Sequence, residues 1–305
     1  MLIPPYKNMA LLVLAYSFLP YLAMAEECVG LVTAGGGSDY WDSVKKGALV
    51  AASEIGVSVS VRGASEEENI QGQEYVLKSF EKKRCIGLVV APNSSERGAY
   101  ASKLKQSGIP TVFIDRDVGG GRIAVIMTNN FNAGFQAAQM VVKNAPIDDS
   151  TFITIFRPGR KIIPTNQRVE GFLHGISTLS KIKVQIFDVG STVGEARSKI
   201  KEIIDNTSSR VFFTPNQSTT LGLLATINYL KLERDIFHFG FDPNKTIRKA
   251  IKEAKIYGVV KQDPYLMGYM AVKTVYNAHL GLDIEENIYT PISFITKTKL
   301  SSDNN

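Results

Sequence analysis

Residues Gly30 to Val44, GLVTAGGGSDYWDSV, set three consecutive glycines between an apolar run and an amphipathic stretch that opens with Tyr40 and Trp41. A glycine-rich turn from a strand into a helix N-terminus can hold a phosphate, because free backbone N–H groups converge there. The spacing here argues for other chemistry. No Lys follows the glycines at the P-loop interval, and the G-x-G-x-x-G fingerprint would need glycine where Tyr40 stands. Asp39 and Asp42 suit a helix dipole but repel an anion, so a neutral, ring-shaped ligand fits the loop better. His174, His238 and His279 are far apart and lie within helical or strand patterns, so each reads as structural. No H-E-x-x-H, G-x-S-x-G, C-x-x-C or metal-spaced cluster occurs. The sequence nominates no catalytic residue, no metal site and no cofactor.

The elements that must carry this loop alternate along the chain. Short apolar runs rich in β-formers fall at Cys28–Thr33, Val57–Arg62, Cys85–Ala91, Thr111–Ile114 and Ile123–Met127, with helical patterns between them. In Asp42–Ile55, for example, Val44, Ala48, Ala51, Ala52 and Ile55 share one face. A second series follows at Thr151–Phe156, Lys183–Phe187, Arg210–Phe213, Ile236–Gly240 and Ile256–Val260. Such alternation is the signature of βαβ units and parallel sheets. The expected fold is α/β: two doubly wound, Rossmann-like lobes joined by a three-strand hinge. The boundaries fall near Asn130, Val260 and Asn287, giving one lobe of 26–130 plus 260–286 and another of 131–259 plus 287–305. Ligands in open α/β sheets bind beyond the carboxyl ends of the strands. There this chain places GGGSDYW, APNSS, DRD, TNN, RPGRK, TPNQS, GFDPN and KQDP, segments rich in hydrogen-bonding side chains. Eight such loops in one topological position imply a polar cleft between the lobes.

Lys7 precedes an apolar run from Met9 to Leu22 that ends in Ala23-Met24-Ala25, the pattern of a secretory signal peptide. Residues 1–25 are thus expected to be removed after Ala25, leaving an exported, periplasmic protein. The run is shorter than the roughly 20 residues a membrane span needs. The net charge is +6, or +5 without Lys7, and it is scattered rather than clustered. Nucleic acid is a poor partner for such a chain. Cys28 opens CVGLV and Cys85 opens CIGLV, at the same register of two apolar runs. With strand order 2-1-3-4-5 these runs are parallel neighbours, which sets the thiols side by side in a compartment that favours a disulfide. Two buried free thiols are the alternative.

The segments DYWDSVKKGALVAASEIGV, SGIPTVFIDRD, TNNFNAGFQAAQMVV and GFDPNKTIRKAIKEAKIYGVVKQDPYLMGYMAV, in that order, resemble the type I periplasmic binding proteins, especially the ribose-binding-like branch. The resemblance covers essentially the whole chain after residue 25. It implies a monomer that closes on a monosaccharide or cyclic polyol and delivers it to an ABC permease. A membrane sensor kinase is the alternative partner. Carried over residue by residue, it implies that Tyr40 and Trp41, with Ser38 before them, sandwich the ligand ring, and that Asp115 and Arg116 clamp its hydroxyls. The competing readings are core packing for the aromatic pair and a surface ion pair for Asp115-Arg116. From the second lobe it assigns ligand contacts to Asn216, Asp242 and Gln262. This chain departs from the family at three places. Asn216 is followed by Gln217 rather than Asp, and Asn166 stands where an arginine often contacts sugar, leaving Arg168 as the nearby cation. No closing aromatic is evident in GSTVGEAR. Arg157, Arg160, Lys161 and Arg168 share one strand-to-helix connection, which reads either as an anion subsite or as an exposed, solvated loop.

Overall fold

The computed structural model describes residues 27–83, 85–147, 152–204, 206–207, 209–232 and 236–302. The expected signal segment, the expected cleavage point after Ala25 and the first residue of the second strand series, Thr151, lie outside them. Chain order begins β1 (Cys28–Thr33), α1 (Asp39–Ile55), β2 (Ser58–Gly63), α2 (Ile70–Lys83), β3 (Gly87–Val90), α3 (Glu96–Gln106), β4 (Thr111–Ile114) and β5 (Ala124–Thr128). It continues α4 (Asn130–Asn144), β6 (Phe152–Arg157), α5 (Ile163–Leu179), β7 (Lys183–Asp188), α6 (Val193–Ile204), β8 (Val211–Phe213), α7 (Gln217–Leu230) and β9 (Phe237–Phe241). It closes with α8 (Lys245–Lys252), β10 (Gly258–Lys261), α9 (Pro264–His279), β11 (Asn287–Thr290), β12 (Ser293–Thr296) and α10 (Lys297–Ser302).

Two sheets result, ordered β11-β5-β4-β3-β1-β2 and β12-β10-β9-β8-β6-β7. Each contains the doubly wound order 2-1-3-4-5, extended by one strand from the chain's end. The central strands are buried on both faces by the flanking helices, which is why GLVV and TVFI are continuously apolar rather than alternating. The additional strands correct the expected boundaries. Asn287–Thr290 pairs in parallel with β5 and so belongs to the first sheet, and the last passage between sheets falls after Thr290 rather than at Asn287. Lys261 is still paired, with Ser293 of the antiparallel β12, so the preceding passage falls after it. NIYT and SFIT are four-residue edge strands on either side of Pro291, too short and too polar to stand out as apolar runs.

Each lobe locks the helix that enters it from the other sheet by close backbone contact. A Cβ on Gly47 of α1 would lie 1.9 Å from the Tyr265 carbonyl oxygen of α9, and one on Gly268 would lie 2.0 Å from that of Val44. Gly134 of α4 and Gly171 of α5 make the same reciprocal approach in the second lobe, each 1.9 Å from a facing carbonyl. Only glycine permits backbones so near. At the amino ends of β1 and β3, Cys28 and Cys85 form a disulfide with Cα atoms 4.6 Å apart.

His238 on β9 is fully buried, with Nε2 2.8 Å from the Thr214 hydroxyl and Nδ1 unpartnered. Burial alone pushes its pKa down to about 3, whereas the unfolded chain takes up that proton near pH 6.5. The unfolded state therefore binds more protons between these values, and stability is lost as pH falls through the window. Between pH 7 and pH 5 this one group should remove about 2 kcal/mol. Urea unfolding of the wild type and His238→Gln at both pH values checks this. The variant should lose correspondingly less on acidification, and equal losses would assign the effect elsewhere.

Candidate functional site

The loops at the carboxyl ends of both sheets enclose a cavity of about 290 Å³. Its first wall begins in the glycine loop after β1. Ser38 caps α1 by accepting from the Trp41 N–H at 3.4 Å, and Ser38, Tyr40 and Trp41 all reach the lining. The two rings are perpendicular, with centroids 5.0 Å apart. That edge-to-face contact leaves no slot between them, so they do not form a sandwich; together they make one aromatic corner. The Tyr40 hydroxyl donates to Asp115 Oδ1 at 2.7 Å. Burial, then the neighbouring Asp115 charge, raises the phenol well above its ordinary range and keeps it a donor.

Asp115 and Asp242 hold equivalent places in the two lobes. Each follows the fourth strand of its five-strand series, and each has positive φ, 67° and 60°. Each donates its N–H to the adjacent strand, to Ile126 O at 3.0 Å and Val260 O at 2.9 Å. Aspartate tolerates this left-handed turn better than most residues. Asp115 is buried, and its Oδ2 accepts from Arg116 Nε at 2.8 Å. The Arg116 fork also donates twice to Glu67 Oε2 at 3.2 Å. Burial works against the guanidinium's charge, but Asp115 and Glu67 outweigh it and raise its pKa.

In the opposite wall, Gln262 donates to Asp242 Oδ1 at 2.8 Å, and Arg168 lies 3.5 Å from Oδ2. Arg168 is fixed on three further sides. It donates to Asn130 Oδ1 at 2.8 Å and to the Pro215 carbonyl at 2.9 Å, and its plane lies over the Phe241 ring at 4.6 Å. Burial raises the Asp242 pKa, opposed chiefly by the Arg168 charge. Asn216 lines the cavity while its Oδ1 caps α7, accepting from the Thr219 N–H at 3.0 Å. A helix cap of this kind leaves the Asn216 amide N–H free to act as a donor.

Residues 29–282 match the family described as the periplasmic binding protein domain. The chain belongs to that family. Among periplasmic binding proteins it is 25% identical over 281 residues to the ribose import binding protein of Bacillus subtilis, covering 89% of this chain and 88% of the relative. It is 21% identical to the D-allose-binding periplasmic protein of Escherichia coli, over 84% of this chain and 85% of that one. The crystal structure of the periplasmic component of an ABC-type sugar transport system from Hahella chejuensis superposes with a TM-score of 0.84 at 28% identity, covering 88% and 99% of the two chains. The family is one of binding proteins, not enzymes.

Among this binding protein's nominated residues, Ser38, Tyr40, Trp41, Asp115, Arg116, Arg168, Asn216, Asp242 and Gln262 meet at the cavity. Asn166 does not: it turns away on α5, its amide donating to the Arg160 carbonyl. Helical spacing explains this, since Thr165 and Arg168 face the cavity and Asn166 lies about 100° from the first and 200° from the second. The four cations of the β6–α5 connection do not gather either. Arg157 pairs with Asp188 and Arg168 with Asp242, whereas Arg160 and Lys161 are exposed and off the lining. Asp39 and Asp42 are also off the lining. The negative charge comes instead from Glu66, Glu67 and Glu68 after β2, which sequence reasoning passed over. Three acids directly beyond a strand's carboxyl end were the available signal. Five carboxylates face two guanidiniums around the cavity, so its field disfavours anions.

Proposed function

We propose that this chain is a periplasmic solute-binding protein that captures an uncharged monosaccharide or similar cyclic polyol between its lobes. It hands that solute, chemically unchanged, to an ABC importer. The leader at residues 1–25 carries it to the periplasm, and the three passages between sheets serve as the hinge on which a monomer closes. The observation that carries this reading is the pairing of two walls. Asp115-Arg116 from one lobe and Asp242-Gln262-Arg168 from the other converge on one cavity beside an aromatic corner. Carboxylates, amides and guanidiniums compensate hydroxyls removed from water, and the C–H face of a sugar ring packs on Tyr40 or Trp41. The ribose and allose relatives, together with the sugar-transport structure, support the ligand class.

A thermal-shift panel of pentoses, hexoses, polyols and their phosphorylated or acidic derivatives tests the proposal. A ligand at 100 times its Kd adds about 2.7 kcal/mol to stability, which is readily seen as a raised Tm. At least one neutral sugar should give this shift and its 6-phosphate or uronate should not. Shifts confined to anions would contradict the proposal.

A further inference from the structure

Arg97, at the start of α3, and Gln73, in α2, lie outside the cavity and are only 2% and 0% exposed. The Gln73 amide N–H donates to the Thr33 carbonyl at 3.2 Å and to the Ala91 carbonyl at 2.8 Å. Its Oε1 accepts from the Asn93 N–H at 3.1 Å and from Arg97 Nε at 3.2 Å. Arg97 also donates to the Ile70 carbonyl at 2.6 Å, and the Asn93 amide donates to the Asn69 carbonyl at 3.0 Å. Among the described residues Arg97 forms no ion pair. Its partners are neutral acceptors, each belonging to or touching a segment that leaves a strand's carboxyl end.

Two of those segments, the loops after β1 and β2, supply much of the first wall of the cavity, and the loop after β3 backs them. Thr33 leads two residues later into Gly35, and Asn69 and Ile70 directly follow Glu66–Glu68, which line it. Glu74 and Glu96 act on the Arg97 charge only from a distance and do not offset its burial, and a guanidinium taken out of water with no carboxylate in contact is costly unless its donors meet fixed acceptors. Such a group gains little by simple burial but imposes geometry on whatever it bonds. We propose that the Arg97–Gln73 pair is a positioning device that joins the loops after β1, β2 and β3 and so sets the first lobe's half of the ligand site. The proposal rests on the ligand-binding reading above.

Hydrogen–deuterium exchange on the ligand-free protein separates positioning from general stability. In Arg97→Met, peptides covering 34–38, 65–72 and 91–95 should exchange at least tenfold faster, while the second-lobe loop 189–193 keeps its wild-type rate. Unchanged rates in all three loops, or equal acceleration in both lobes, would overturn the assignment. Calorimetry with D-ribose as probe gives the second readout. Arg97→Met should raise the Kd at least tenfold, whereas Ile200→Ala, a core truncation in the second lobe, should change it less than twofold. Equal weakening by both variants would reduce Arg97 to a stabilising residue. If the wild type takes up no D-ribose or other sugar, the ligand-binding reading fails and the exchange rates alone decide the role of the pair.

Discussion

Asp115→Ala should weaken binding of the sugar selected by the thermal-shift panel at least hundredfold. The carboxylate holds both the Tyr40 hydroxyl and Arg116 Nε. Its removal leaves Arg116, 8% exposed, with Glu67 as its remaining acid partner. Leaving a ligand hydroxyl and the Arg116 charge without this partner in the closed cleft costs about 2–5 kcal/mol of binding, and about 2.7 kcal/mol already corresponds to two decades in affinity. Part of the loss will appear as lowered stability, because alanine is strained at a φ of 67°. Asp115→Asn separates the two effects. It keeps the shape and the tolerance of the left-handed turn but loses the charge, so it should fall between wild type and Asp115→Ala. Calorimetric titration of the three proteins, with urea unfolding alongside, reads both quantities. Wild-type affinity in Asp115→Ala would remove Asp115 from the site.

Opening the Cys28–Cys85 bridge should cost about 4 kcal/mol of stability. The two residues are 57 positions apart, and the chain-entropy model assigns about that much to closing a loop of this length. The double variant Cys28→Ser, Cys85→Ser should therefore unfold at markedly lower urea concentration than the oxidised wild type. Its sugar affinity at low temperature should hardly change, because the bridge ties the amino ends of β1 and β3 and the cavity lies beyond their carboxyl ends. A loss below about 1 kcal/mol would mean that the sheet already restrains this loop in the reduced or unfolded chain.

How far the sequence foretells the molecule differs from element to element. Cys28–Thr33 and Thr111–Ile114 stand at the limits read from the sequence, because strands covered on both faces must be apolar throughout and polar residues then mark their ends. The alternation of strands and helices implies parallel sheets without fixing their strand order, and 2-1-3-4-5, the order that sets Cys28 beside Cys85, is the one both sheets contain. β11 and β12 escape notice because edge strands need no continuous apolar run, and Asn287 and Tyr289 are in fact exposed. At the cleft, residue types were legible and orientations were not. Tyr40 and Trp41 reach the cavity as an aromatic pair, but adjacent positions on one helix turn set their rings edge to face. Asn166 was placed by its distance from Arg168 in a motif, whereas the helix period decides which side chains face inward. Glu66–Glu68 carry no local pattern that marks them as part of a site, and only the arrangement of the loops shows Glu67 accepting from Arg116. The Arg97–Gln73 network joins residues up to 40 positions apart, which no local pattern reveals.

The protein has one tryptophan, Trp41, and it lines the cavity. Its emission is therefore a direct report on whether a sugar enters the cleft. In a fluorescence titration of the purified protein with the neutral monosaccharides of the panel, at least one should give a saturable change at one ligand per chain, which Asp115→Ala abolishes over the same concentration range. No saturable change with any of them, or a change that Asp115→Ala leaves intact, would contradict the cleft as the sugar site.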